Sequence, residues 1–352
     1  MKKLLFYCVV IALFVSCSKD DDIVNIFDLP QESNIIYYIS SDGEVINPYE
    51  YATFGAKIRS NIYQDGYGVI TFDNKVTEIG KQAFSSCRNL VNIVIPNSVT
   101  LINDSAFYGC TSLTTINLGD NISEIRDGAF MECHFLSEVD IPNSVTSIGG
   151  MAFKNCSRLS DIRLPNKLTT IEAWSFSNCG IKSITIPESV TSICEGAFNY
   201  CYSLESVTIP NSVKTLGAGI FVGCANLSAI YGKFASKDNR CLVVDGVLNS
   251  FAPKGLSSYT IPDNITTIGF SVFYYSEYLN SVIIPNSITA IDSSAFEFCE
   301  SLENVYCNAV TPPFLGLNVF DNNPSLKNIF VPKGTAGEYK LAWSSYANLI
   351  SE

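Results

Sequence analysis

The sequence predicts a mainly β repeat solenoid in which coils of about 23 residues stack parallel strands, joined by short helical turns and capped at both ends. Three observations carry this. Cys87, Cys110, Cys133, Cys156 and Cys179 follow one another every 23 residues, Cys201 comes 22 later, Cys224 23 later, and Cys299 lies 23 beyond a serine, Ser276, in the same slot. Three residues before each slot stands a phenylalanine, from Phe84 through Phe107, Phe130, Phe153, Phe176, Phe198, Phe221 and Phe273 to Phe296. After each slot comes an apolar triplet such as Leu90, Ile93 and Ile95, or Leu204, Val207 and Ile209, usually closed by proline, which is strand spacing followed by a strand stop. Length alone would suggest two or three globular domains, but a short internal period stacks into one elongated body.

The chain opens with a targeting segment, residues 1–16. Lys2 and Lys3 precede an apolar run over residues 4–15, too short to span a bilayer as a helix and typical of a signal peptide. Residues 13–17 (LFVSC) resemble a bacterial lipobox, which implies that Cys17 is lipidated and becomes the mature N-terminus. Two or three acyl chains anchor stably where one does not, so the expected membrane link is the lipid anchor alone. Residues 17–23 form the lipidated acidic linker. Its Ser18-Lys19-Asp20-Asp21-Asp22 is similar to the signal that sends some lipoproteins to the outer face of the outer membrane, so the expected location is an outer-membrane lipoprotein exposed on the cell surface.

Residues 24–74 do not repeat and read as an N-terminal β cap over the open end of the core. Within them residues 34–40 (NIIYYIS) are β-rich, Asp42-Gly43 is a turn pair, residues 44–47 (EVIN) can return as the second strand of a hairpin, and residues 67–72 (YGVITF) lead into the first coil. The solenoid proper spans residues 75–305. In one coil, residues 113–118 form a strand with Ile116 and Leu118 inward, a second extended piece carries Ile122 and Ile125, and a tight turn delivers Ala129 and Phe130 before Cys133 closes the circuit. Like then stacks on like at about 4.8 Å. An irregular insertion, about residues 230–256, contains a hairpin on Asp245-Gly246 and reads as a degenerate repeat. Residues 306–352 are expected to be a capping repeat and a helix whose buried stripe is Leu341, Ala342, Tyr346 and Leu349.

The pattern A-F-x-x-C-x-x-L-x-x-I-x-I-P resembles the leucine-rich repeat in its BspA-like form, with clear copies over residues 76–305. The resemblance implies a surface protein that mediates protein–protein binding, with adhesion to host or neighbouring cells as its role and an extracellular or host protein as partner.

The rest of the composition excludes more than it suggests. A net charge of −12 and no basic cluster argue against nucleic acid. Neighbouring slot cysteines have parallel Cα–Cβ vectors near the coil spacing, outside the roughly 3.5–4.5 Å that a disulfide requires, so free buried thiols are expected. No C-x-x-C pair starts a zinc site, and no metal or cofactor is expected. His134 reads as a turn residue, and Gly217, Gly219 and Gly223 have the wrong last spacing for a dinucleotide fingerprint. With no P-loop, HExxH or GxSxG string, no catalytic residue is assigned and the chain is not expected to be an enzyme.

If the apolar triplets face inward, the alternate positions build an outward sheet face. Its candidate binding residues are Asn92, Val94, Thr115, Asn117, Glu138, Asp140, Asp161, Arg163, Ser183, Thr185, Ser206, Thr208, Ile283 and Tyr306, with Ser281 and Asn304 two residues before the last two. Glycan capture is the alternative, resting on Trp174 in a slot that elsewhere holds Ser105, Gly128 or Met151. A passive envelope spacer is a third reading. Asp104-Ser105-Ala106 resembles an O-glycosylation site of some exported bacterial proteins, which makes Ser105 a modification candidate.

Overall fold

The computed structural model describes residues 24–352, so the leader, Cys17 and the acidic linker lie outside the described residues. The described chain is a β-solenoid of about twelve turns. Each coil offers three sides to the next. One carries the longer strands in parallel register, as in Ile93↔Ile116 and Ile116↔Val139; a second carries two-residue strands, as in Ile102↔Ile125 and Ile125↔Ile148. The third is the turn around each phenylalanine, where Phe107 N–H donates to Ala129 O at 2.8 Å and Phe130 N–H to Ala152 O at 2.7 Å.

The phenylalanines form the axis of the core. From Phe84 through Phe107, Phe130, Phe153, Phe176 and Phe198 to Phe221, successive rings stack with centroids 5.1–5.8 Å apart and planes within 13°. The stack resumes from Phe273 through Phe296 to Phe320. At the N-terminal end Phe54 meets Phe84 edge-on at 69°, and at the C-terminal end Tyr346 meets Phe320 edge-on at 85°.

The slot cysteines are free, as expected, and all but the half-buried Cys87 repeat one contact. Cys110 Sγ donates to Phe84 O at 3.0 Å, Cys133 to Phe107 O at 3.1 Å, and Cys156 to Phe130 O at 3.2 Å, each reaching back one coil. The slot therefore selects a small apolar side chain that still carries a weak donor, which cysteine combines.

In the N-terminal cap, β1 (Ile35–Ser40) pairs not with residues 44–47 but antiparallel with both β3 (Tyr67–Phe72) and the first repeat strand, Leu90–Val94. The hairpin partner of β3 is β2 (Ile58–Gln64), turning on Asp65-Gly66 with both residues at positive φ. Residues 44–47 instead form irregular chain, because Asp42 caps the preceding turn by accepting from Glu44 N–H, and Ile46 is buried with its N–H donated to the Tyr38 hydroxyl.

The insertion belongs to the stack. Its hairpin, Cys241–Val244 and Val247–Phe251, turns on Asp245-Gly246, and its second strand pairs parallel with Thr267–Ile268. After residue 305 the repeat continues: Phe320 stacks on Phe296, and Asn328–Phe330 pairs in register with Asn304–Cys307. The helix α1 (Ala336–Ala342) then closes the end with Tyr339, Trp343 and Tyr346 buried. Leu341 and Ala342, expected inside, are exposed, Leu341 at 83%, because the buried side of the helix runs through Tyr339; Tyr346 is buried and Leu349 half-buried in the 3-10 turn over Ser344–Leu349.

Candidate binding face

The outward residues of the longer strands fall into two columns. The first runs Asn92, Thr115, Glu138 and Asp161 in continuous register, then Ser183 and Ser206, then Ser258, Ser281, Asn304 and Asn328. The second runs Val94 and Asn117, then Thr185, Thr208 and Tyr231, then Thr260, Ile283, Tyr306 and Phe330. Asp140 and Arg163 stand exposed just beyond the two-residue strands Glu138–Val139 and Asp161–Ile162. The face has two breaks. The first follows Asp161–Ile162, at the 22-residue coil, where Gly180 passes so close to the preceding coil that a Cβ would lie 2.5 Å from Ser157 O. The second is the insertion.

Val94 does not belong to this face. It is 2% exposed, packed with Ile26 and Tyr37, because the segment leading into β1 crosses the sheet there. Asn117 is committed to a turn, its side-chain oxygen accepting the Gly119 N–H at 2.9 Å. Glu138 and Asp161 sit directly opposite each other, and neither joins an ion pair among the described residues.

The most distinctive part is C-terminal. Tyr306, 39% exposed, stacks on Phe330 at 5.0 Å and 15°, beside Ile283. In the adjoining column Asn328 Nδ2 donates to Asn304 Oδ1 at 2.9 Å. Tyr231, Asn328 and Phe330 escaped the sequence reading because Tyr231 opens the insertion and the other two lie beyond residue 305, where the Phe-x-x-Cys marker fails. Their signal was the inward Ile230 and Ile329, each flanked by outward residues.

The other candidates lie elsewhere. Trp343 is buried and donates its Nε1–H to Pro313 O at 2.9 Å. Trp174 is half-buried, its ring laid over Gly196 with Lys154 Nζ 5.4 Å from its centroid. Ser105 occupies the turn side at φ +53. His134 is half-buried in a turn, with Nε2 3.0 Å from Glu132 and Nδ1 2.9 Å from Asn155 O.

Solved structures similar to this chain include a leucine-rich cell-surface protein of Faecalibacterium prausnitzii, 28% identical with a TM-score of 0.66, covering 79% of this chain and 75% of that one. A leucine-rich repeat protein of Bacteroides ovatus is 29% identical with a TM-score of 0.49, covering 78% and 73%. No curated protein matches. The BspA type leucine-rich repeat region matches in six copies over residues 57–156, 123–237 and 248–349, most of the solenoid. The chain belongs to the BspA-type leucine-rich repeat family.

Proposed function

We propose that this chain is a lipid-anchored cell-surface protein that binds an extracellular or host protein through the outward sheet face, with adhesion as its role. The observation that carries the reading is the Ile283, Tyr306 and Phe330 cluster, an uncharged aromatic patch beside the hydrogen-bonded amides of Asn304 and Asn328. Aromatic centres with polar surroundings are the composition of protein interfaces, where tyrosine is among the residues that contribute most. The described cell-surface nature of the Faecalibacterium protein supports the location, as does the lipobox ending at Cys17. Cys17 and Val24 are seven positions apart, a span of at most about 25 Å. The N-terminal cap therefore stays near the membrane, and the Tyr306 end of the face is presented outward.

Two experiments test this. Replacing both Tyr306 and Phe330 with serine is expected to weaken binding to a captured matrix or cell-surface protein at least tenfold, with the circular dichroism spectrum unchanged; undiminished binding would sink the assignment of the face. Cys17→Ala is expected to release the chain from the membrane fraction, and protease treatment of intact cells is expected to remove the anchored form. A membrane-bound C17A variant, or complete protection from protease, would refute the anchor or the surface display respectively.

A further inference from the structure

The turn side of the solenoid is broken where the insertion lies. Its hydrogen-bond ladder runs to Phe198 N–H on Ile220 O and Tyr200 N–H on Val222 O, and resumes only at Ser271 N–H on Ser293 O. The core divides at the same level, with Leu242 and Ala252 packed into the N-terminal cluster and Cys241, Leu248 and Phe251 into the C-terminal one.

Aromatic rings bridge this seam. Tyr200 lies over Gly223, where a Cβ would meet its ring at 2.5 Å, and reaches Tyr274 with centroids 6.2 Å apart. Tyr274 stands edge-on to Tyr275 and Phe298, which stack on each other at 5.3 Å, and Tyr202 lies beside Tyr200 at 6.1 Å. The patch is open to solvent at Tyr202, which is 46% exposed, and its other rings are half-buried.

Two features separate this patch from ordinary packing. Tyr200, Tyr275 and Phe298 all have positive φ, between +56 and +58, at the position two residues after the slot phenylalanine. Other coils place Gly109, Gly223, Asn155, Asn178 or Asn322 there, residue types that tolerate this backbone, and Ser86 and Glu132 in two more; aromatic rings occupy it only beside the seam. Holding bulky rings in that conformation costs free energy at each site, and such retained strain concentrates where a side chain has a task. The patch is also acidic. Glu277 lies close enough to act on the Tyr202 hydroxyl, Glu297 on those of Tyr200 and Tyr274, and neither carboxylate joins an ion pair among the described residues.

We propose that this tyrosine patch binds the arginine or lysine side chains of a cationic protein segment. Ring faces attract cations, guanidinium planes stack on them, and the two carboxylates supply the opposite charge. The site is separate from the sheet face and does not depend on it.

The test uses the full chain in detergent micelles and a fluorescein-labelled octapeptide of alternating arginine and glycine, read by anisotropy. The triple variant Y200N/Y275N/F298N is expected to keep its melting temperature within a few degrees, since asparagine suits the backbone there, while peptide affinity falls at least tenfold. The pair E277Q/E297Q is expected to weaken binding at least threefold, whereas E32Q/E50Q, removing the same charge from the N-terminal cap, leaves it unchanged. If the triple variant fails to fold, Tyr202→Ser on the exposed ring carries the same expectation. Unchanged affinity in the patch variants, or equal weakening by E32Q/E50Q, would overturn the proposal in favour of a structural plug or of general attraction to an acidic protein. So would binding of maltohexaose at the patch with none of the peptide.

Discussion

Phe130→Ala tests the central claim about the core, that stacked phenylalanines hold neighbouring coils together. Phe130 is fully buried, with parallel rings on both sides: Phe107 at 5.2 Å and 3°, and Phe153 at 5.1 Å and 12°. Truncating a buried phenylalanine costs about 3–5 kcal/mol. Each ring pair adds about 0.5–1.5 kcal/mol, so losing two places this site at the upper end. Phe320 stacks on Phe296 and also meets Tyr346 edge-on at 5.4 Å and Trp343 at 6.0 Å, so Phe320→Ala is expected in the same range. For residues 24–352, an unfolding entropy of about 2.1 cal/mol/K per residue gives roughly 0.7 kcal/mol/K. A loss of about 4 kcal/mol then lowers the melting temperature by about 6 °C. Calorimetry on both variants reads this directly, and urea titration checks that unfolding remains one cooperative step. A drop below about 1.5 °C for either variant would refute the coupling of coils through the ring stack.

Burial pushes the Cys201 and Cys299 thiols up to about 12 and Cys87 up to about 11, against an ordinary value of 9.0. The unfolded chain releases these protons near pH 9 while the folded chain keeps them, so the stability they contribute is full below pH 9 and falls as pH rises towards 12. Denaturant titrations at pH 7, 9 and 10 should show that decline, and a flat profile would contradict it. Iodoacetamide at pH 8 is expected to label the partly exposed Cys194 and spare the buried slot thiols, then label all eleven described cysteines after unfolding without reductant; disulfide-paired slots would defeat the stacking account. Asp161→Asn removes one of two carboxylates in direct register and should stabilise by about 0.2–1 kcal/mol at low salt, an effect that vanishes in 1 M salt. Gly180→Ala is expected to destabilise by more than about 2 kcal/mol through its contact with Ser157 O. Gly337→Ala, with open space inside α1, should stabilise by about 0.5–1 kcal/mol; equal melting temperatures for the two variants would argue against the close approach at Gly180.

The coil was legible because its determinants are local and periodic. Phe107, Cys110, Leu113, Ile116 and Leu118 each repeat at fixed distance, and every one is buried. The cap was less legible because β1 inserts between β3 and a strand 50 residues downstream, a pairing with no sequence signature, whereas residues 44–47 offered a local hairpin that the structure does not take. Val94 shows the same limit: its alternation points outward, and only the crossing segment at Ile26 buries it. The tyrosine patch was invisible for a related reason. Tyr200 and Tyr274 are 74 residues apart and meet because a turn is missing between them, so no period could have linked them.

The edge-on rings at the two ends fix how this molecule can change. A stack of identical coils is a template that would accept another coil, or another copy, on any flat ring left open at its end. Phe54 and Tyr346 present no such ring, because each turns the axis through a steep angle. Growth and shrinkage are thereby confined to the interior, where whole coils can be gained or lost in steps of about 4.8 Å without disturbing either terminus. The distance from the N-terminal cap to the outermost aromatic patch thus changes in whole-coil steps, with both end rings left unaltered.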